Sequence, residues 1–455
     1  MKAYRKLTAL TLAVLTLCGC GNVPAAPSEP AGAATLAEAQ YPAMSPYPNE
    51  TDFIDPVTGE FDDEGFFQVY EAWQQDHAAQ TNVPEGYAEG LGSYFRLSIP
   101  ELLAGGSENS VCSPLNVYMA LAMLAQTTDG TSRQEILTLL GADSLDALRD
   151  QAGAVWNAHY CDDGASTCVL ANSLWLDSGL TYNPETARVL AEDYYASAFQ
   201  GDLGSDEMNK MLQKWLNDQT SGLLKEQAQN LELDPQTVLA LASTIYYRAK
   251  WSDEFWPENN TEGIFHAPGG DTEHTFLNRE LSYGPYYWGA DFGAVSLGLE
   301  DGSRMWLILP DEGLTPADLL ASGNALELVL GDIGSYENQK RLRVNLRLPK
   351  FDVSASSQLG EGLKHLGILS VFDPESADFT PILPESAAWL DSVSHAARVR
   401  VDEEGVEAAA YTVMAVCGAA MPPEEEMDFI LDRPFLFVIS SADNLPLFAG
   451  VVNHP

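Results

Sequence analysis

Two kinds of apolar run dominate this chain. Residues 115–124, LNVYMALAML, place apolar side chains on nearly every side of a helix. That pattern predicts a buried helix rather than a surface one. Ser113 before Pro114 marks its start, with proline at the first helical position, where its missing N–H costs nothing. Residues 238–255, VLALASTIYYRAKWSDEF, are apolar and rich in strand formers, and predict a long strand. Residues 172–176, NSLWL, are strand-like as well. The spacing of Thr131 and Gln134 predicts a capping box opening another helix. From residue 84 to 455 helical and strand patterns alternate with no regular βαβ period, so the fold class read here is α+β.

One stretch has a pattern of its own. Residues 401–423 read VDEEGVEAAAYTVMAVCGAAMPP, charged at the start and small or strand-prone afterwards. Taken as a strand, Val406, Ala408, Ala410, Thr412, Met414 and Val416 share one face, and Glu407, Ala409, Tyr411, Val413, Ala415 and Cys417 the other. The charge and the tyrosine then fall on the wet side. Such a strand would run about 13 residues, more than twice the usual length. An ordinary helix or hairpin arm fits the same composition, because the alanines favour helix.

Length and charge narrow the partners. The chain has 455 residues and a formal net charge of −43. With no basic cluster, long-range attraction to nucleic acid or heparin is not expected. The N-terminus reads as a targeting segment: Lys2, Arg5 and Lys6 precede an apolar run over residues 7–17, too short to span a bilayer. Residues 21–50 are rich in Ala, Pro, Ser and Glu, which predicts an extended, disordered tether. Residues 51–83 are acidic and mixed, with no assignable element. With residue 20 at its head, the tether is taken as residues 20–83 and the folded domain as residues 84–455.

Candidate chemistry is sparse. There is no GxSxG elbow, HExxH helix or phosphate-binding loop. The histidines, among them His77, His159, His266 and His274, show no metal-ligand spacing, and no CxxC pair exists. Hence no cofactor, no metal and no enzymatic activity are expected. Cys112, Cys161, Cys168 and Cys417 are too scattered for a disulfide framework, although Cys161 and Cys168 could close a small loop. Cys417 would be an exposed, oxidisable thiol or simply a small apolar residue.

Several motifs resemble known families. Leu17-Cys18-Gly19-Cys20 is similar to a bacterial lipoprotein cleavage box. That resemblance implies a signal peptide over residues 1–19, a lipid on Cys20 and a membrane-anchored exported protein; ordinary secretion is the alternative. Glu403-Glu404-Gly405-Val406-Glu407-Ala408-Ala409-Ala410-Tyr411-Thr412 is similar to the hinge of the serpin family. Residues 432–439 resemble that family's strand after the reactive loop, and residues 448–455 its C-terminal signature. Residues 113–124, 172–176, 215–222, 238–255, 305–310, 346–351 and 366–380 follow in family order, so the resemblance covers about 370 residues, spanning more than one average domain length.

The resemblance implies a multi-helix domain packed on three β-sheets, with an exposed reactive-centre loop and monomeric state. It implies irreversible, suicide-substrate inhibition of serine proteases, with a non-inhibitory carrier as the alternative. Counting forward from Gly405 puts the scissile bond at Ala419–Ala420. A protease nucleophile would attack Ala419, and residues 406–418 would then enter the main sheet as a strand. The family pattern also implies a sheet-opening region of Ser113, Asn116, Ser243, Trp251 and His395. Here Asn116 stands where the family often has serine, and Ser243 where it often has asparagine. The pair looks exchanged, which preserves a buried hydrogen bond because amide and hydroxyl complement each other.

Overall fold

The computed structural model describes residues 33–104, 106–229, 231–406 and 425–455. The chain opens with a short strand, β1 (Ala34–Ala37), then helices α1 (Asp63–Gln80) and α2 (Leu91–Leu102). Strand β2 (Ser110–Cys112) leads to α3 (Pro114–Thr127), α4 (Gly130–Leu140) and α5 (Leu145–His159). Next come β3 (Cys161–Asp162), β4 (Thr167–Asp177), α6 (Pro184–Asp193), β5 (Ala196–Gly201), α7 (Asp206–Gln219), α8 (Lys225–Ala228) and β6 (Leu239–Lys250). Strands β7 (Thr261–Ala267), β8 (Gly270–Trp288), β9 (Phe292–Gly298) and β10 (Arg304–Pro310) precede helices α9 (Pro316–Ser322) and α10 (Asn324–Leu330). The remainder is β11 (Gln339–Pro349), β12 (Phe351–Gln358), α11 (Gly360–His365), β13 (Ser392–Val401), β14 (Gly405–Val406), β15 (Glu426–Ile430), β16 (Phe435–Ser440) and β17 (Pro446–Val452).

The main sheet runs β1-β5-β4-β6-β14-β13-β12, with β3 added to β4. A second network runs β15-β11-β8-β9-β10-β16-β17-β2, with β7 on β8. Two of the three expected sheets are thus continuous. The reason is β8, whose 19 residues are long enough to serve both. Its first part, from Gly270 to Phe276, pairs with β7; from Phe276 to Tyr287 it pairs with β11; and its last three residues, Tyr286–Trp288, also pair with β9.

Helix α3 is the centre of the core. Every residue of it except Gln126 is buried, as its all-round apolar pattern requires. Ser113 caps it, its side chain accepting from the Asn116 N–H. The next helix differs from expectation. Helix α4 begins one residue before Thr131, at Gly130, with Asp129 at the cap position and no side-chain cap bond. Asp129 instead anchors the entry through its N–H to the Asp378 carbonyl at 3.0 Å.

The tether expectation also needs correction. From residue 33 onward the chain is packed against the body. Strand β1 pairs antiparallel with β5 and lengthens the main sheet. Tyr41 lies 5.4 Å from the Trp156 ring and 5.7 Å from the Tyr160 ring, and its hydroxyl donates to Gln219. Residues 51–83 hold the 18-residue helix α1. The described residues accordingly belong to one compact unit. Proline-rich composition suggested free chain, but β5 offered an unpaired edge, and an edge strand takes its hydrogen bonds from its partner. No helix of the described residues is long and apolar enough to cross a membrane. The targeting segment with Cys20 lies outside the described residues.

Candidate functional site

The site is built where β13 turns back into β14. Below the turn, β6 and β13 pair directly in parallel, from Ser392 opposite Ala240 to Ala396 opposite Thr244. Among the described residues, no other strand stands between them there. Above, they part, and β14 enters the gap as a two-residue wedge. Val406 pairs with Val401 on one side and Ala249 on the other, and Gly405 pairs with Lys250. Val406 is only 2% exposed. A Cβ on Gly405 would lie within contact distance of the Ala249 carbonyl oxygen and 2.7 Å from Lys250 Cα. Both are backbone atoms that cannot swing away, so only glycine fits the mouth of the gap.

The turn before the wedge is held from three directions. The Trp251 N–H donates to the Glu404 carbonyl and the Phe255 N–H to the Glu403 carbonyl, both at 3.0 Å. Trp251 is 1% exposed, and its Nε1–H donates to the Asp402 carbonyl at 3.0 Å. The Glu403 carboxylate receives Lys350 Nζ at 2.7 and 3.0 Å and Asn260 Nδ2 at 2.6 Å. Burial pushes the Glu403 carboxyl up, but hydrogen bonds from Lys350, its own backbone and Asn260 outweigh it and hold the group below its ordinary value. Asp402 closes the turn, its Oδ1 accepting from the Glu404 N–H at 3.1 Å.

Deeper along β6 lies a buried polar cluster linking sheet and helix. Asn116 Nδ2, on α3, donates to Ser243 Oγ at 2.8 Å, to the Thr244 carbonyl at 2.5 Å and to the Ala171 carbonyl at 3.3 Å. Its Oδ1 accepts from Asn172 Nδ2 on β4 at 3.0 Å. The His395 ring on β13 closes the group: Nε2 accepts from the Ser113 N–H at 3.0 Å, and Nδ1 lies 3.3 Å from Ser243 Oγ. With Nε2 accepting, the proton belongs on Nδ1, so the ring is neutral. Burial lowers its pKa to about 4. The exchanged pair therefore makes a direct amide-to-hydroxyl bond across the α3–β6 contact.

The structure brings the named residues together as two groups. Glu403, Glu404, Gly405, Val406 and Trp251 form the grip at the mouth. Ser113, Asn116, Ser243 and His395 form the cluster below it. Glu407, Ala408, Ala409, Ala410, Tyr411 and Thr412, with Ala419 and Ala420, lie outside the described residues. Sequence reasoning missed Lys350, Asn260 and Asn172. Lys350 is 53 positions from Glu403 and Asn260 is 143 positions away, so no local pattern links them.

Sequence and fold are both shared with known proteins. The sequence profile of the family described as Serpin (serine protease inhibitor) matches residues 96–455. Serpin-Z2B of Oryza sativa subsp. japonica is 32% identical over 400 residues, covering 79% of this chain and 96% of that one. Serpin-ZX of Arabidopsis thaliana is 28% identical, covering 77% and 93%. Among solved structures, the native state of the thermophilic serpin tengpin superposes with a TM-score of 0.72 at 23% identity, covering 82% of this chain and 95% of that one. The native stressed conformation of Arabidopsis AtSerpin1 superposes with a TM-score of 0.70 at 25% identity, covering 82% and 100%. Profile, relatives and fold agree, and the chain belongs to the serpin family.

Proposed function

We propose that this protein is an irreversible inhibitor of serine proteases that acts as a suicide substrate rather than as an enzyme. One observation carries the reading: β6 and β13 are paired below a wedge of Gly405 and Val406. The same two strands are thus closed at one end and already parted at the other, by the first residues of the loop. A strand continuing from Val406 would have a slot to enter without unfolding the body.

The chemistry then follows family logic. A protease serine Oγ attacks the carbonyl carbon of Ala419 and transfers its proton to the protease base. The Ala419–Ala420 bond breaks, Ala420 leaves as a free amine, and an ester joins Ala419 to the protease. Residues 406–418 add to the sheet and carry the bound protease with them before water hydrolyses the ester. The driving force is the pairing and burial that those residues would gain on entering the sheet. Ala419 carries a single methyl, which suits the shallow pocket of elastase-like or permissive subtilisin-like enzymes. In this reading the protein acts as a monomer, anchored to the bacterial cell surface by a lipid on Cys20. Mass spectrometry of the mature N-terminus tests the anchor; an unmodified Cys20 removes it.

The test of function is incubation with a panel of serine proteases, followed by denaturing electrophoresis. A band resistant to denaturant, at the summed mass less the released C-terminal peptide, is expected with an elastase-like enzyme. Clean cleavage with no such band across the panel favours the non-inhibitory carrier reading instead.

A further inference from the structure

Cys161 and Cys168 stand directly opposite one another where β3 pairs with β4. Both are free thiols, Cys168 buried and Cys161 partly so. Opposed residues of an antiparallel pair have Cα atoms about 4.5–5.5 Å apart and side chains on one face. That spacing falls inside the roughly 4.4–6.8 Å window of a disulfide. The sulfurs also share surroundings: burial raises both thiols most, and the Asp301 carboxylate adds to it at both. Both cysteines line a cavity of about 720 Å³.

The hairpin that these residues close is where the N-terminal segment docks. The Asp162 N–H donates to Met44 Sδ at 3.1 Å, and the Tyr47 N–H to the Asp163 carbonyl at 2.8 Å. Inside the turn, Asp163 Oδ1 accepts from the N–H groups of Ala165 at 3.0 Å and Ser166 at 2.9 Å. From β6, Arg248 donates to the Gly164 carbonyl at 3.0 Å. Cys168 is level with Tyr247, two residues from the Ala249 that seats Val406. A covalent link at the base of this turn would therefore stiffen one turn with contacts on both sides.

We propose that Cys161 and Cys168 form a reversible disulfide that clasps this hairpin and fixes the docking of residues 33–81. The oxidant is a low-molecular-weight disulfide or the exchangeable disulfide of an oxidoreductase. The Cys161 thiolate, the less buried of the two, attacks one sulfur of that disulfide and expels a thiol. The Cys168 thiolate then attacks the Cys161 sulfur of the mixed disulfide and expels the second thiol. Two protein thiols lose two protons and two electrons, and one small disulfide becomes two thiols. Burial pushes the Cys161 thiol up to about 12, so exchange is slow in both directions and each state persists.

The full chain is reduced, split, and held with either oxidised glutathione or dithiothreitol. Non-reducing peptide mapping should find Cys161 joined to Cys168 only in the oxidised sample. Hydrogen exchange at the Tyr47 and Asp162 amides should then slow by on the order of tenfold, with amides of β16 unchanged. The Cys161→Ser and Cys168→Ser variants, and the Cys161→Ala/Cys168→Ala double variant, should show no slowing under either condition. Glutathione left as a mixed disulfide on Cys161, pairing with a different cysteine, or a 161–168 bond with unchanged exchange at residues 33–81 would each overturn the proposal.

Discussion

Lys350 Nζ lies 2.7 Å from a Glu403 carboxylate oxygen. The contact ties the turn leaving β13 to the junction between β11 and β12, at the mouth where the main sheet is parted. The pair is partly exposed, at 39% and 18%, so its strength comes from hydrogen-bond geometry more than from charge alone. Removing either partner should loosen the turn without disturbing the core. Lys350→Ala and Glu403→Ala should each lower stability by about 1 kcal/mol. Glu403→Lys should cost more, because two ammonium groups would meet. Thermal melts of the three variants check the order; a neutral Glu403→Lys contradicts it.

The wedge predicts a sharper effect. Val406 is buried between Ala249 and Val401, and Gly405 abuts backbone on β6. Val406→Arg would bury a charge in the intact protein and again along any inserted strand. It should expel the wedge and convert the proposed inhibitor into a substrate, raising the moles of inhibitor consumed per protease trapped by about tenfold or more, as burial of an unpaired charge implies. Gly405→Val should act in the same direction through sterics alone. Titration of a protease with each variant measures this, and unchanged stoichiometry for Val406→Arg would contradict the inward placement.

His395 predicts a pH window. Its native pKa is about 4, against 6.5 for an unburied ring. Between those values the unfolded chain binds the proton and the native protein does not. Stability is therefore full above pH 6.5 and falls as pH drops toward 4, by up to about 3 kcal/mol. Protonation would also turn Nε2 into a donor facing the Ser113 N–H. Carboxylates titrate over part of the same range, so the comparison is with His395→Gln. The difference in melting temperature between the two proteins should be constant above pH 6.5 and change below it; parallel curves would contradict the assignment.

In the proposed mechanism, target choice rests on Ala419. A single methyl neither fills an aromatic-binding pocket nor pairs with a carboxylate at a pocket base. Ala419→Arg should gain inhibition of a trypsin-like enzyme and lose it against an elastase-like one. The peptide released from the complex fixes the register: a start at Ala420 supports it, and a start at Cys417 or Gly418 moves the specificity residue.

Local chemistry was the readable part of this sequence. Ser113-Pro114 marked the start of α3 because capping and proline both act on adjacent residues. The Asn116–Ser243 exchange was readable only against a family pattern, since the two are 127 positions apart and neither is unusual alone. Lys350 and Asn260 were invisible for the same reason, with nothing to flag them among other polar residues. Strand β1 was hidden differently. Four residues are too few to show alternation, and what makes ATLA a strand is the open edge of β5, not its own composition.

The most direct test is thermal unfolding of the intact protein against the same protein nicked once within residues 413–420. Insertion of the freed strand between β6 and β13 would complete ladder bonds worth about 1 kcal/mol each, and the melting temperature should rise by on the order of 10 °C or more. An unchanged or lower melting temperature after cleavage would contradict the account, because the slot beneath Val406 would then not accept a strand.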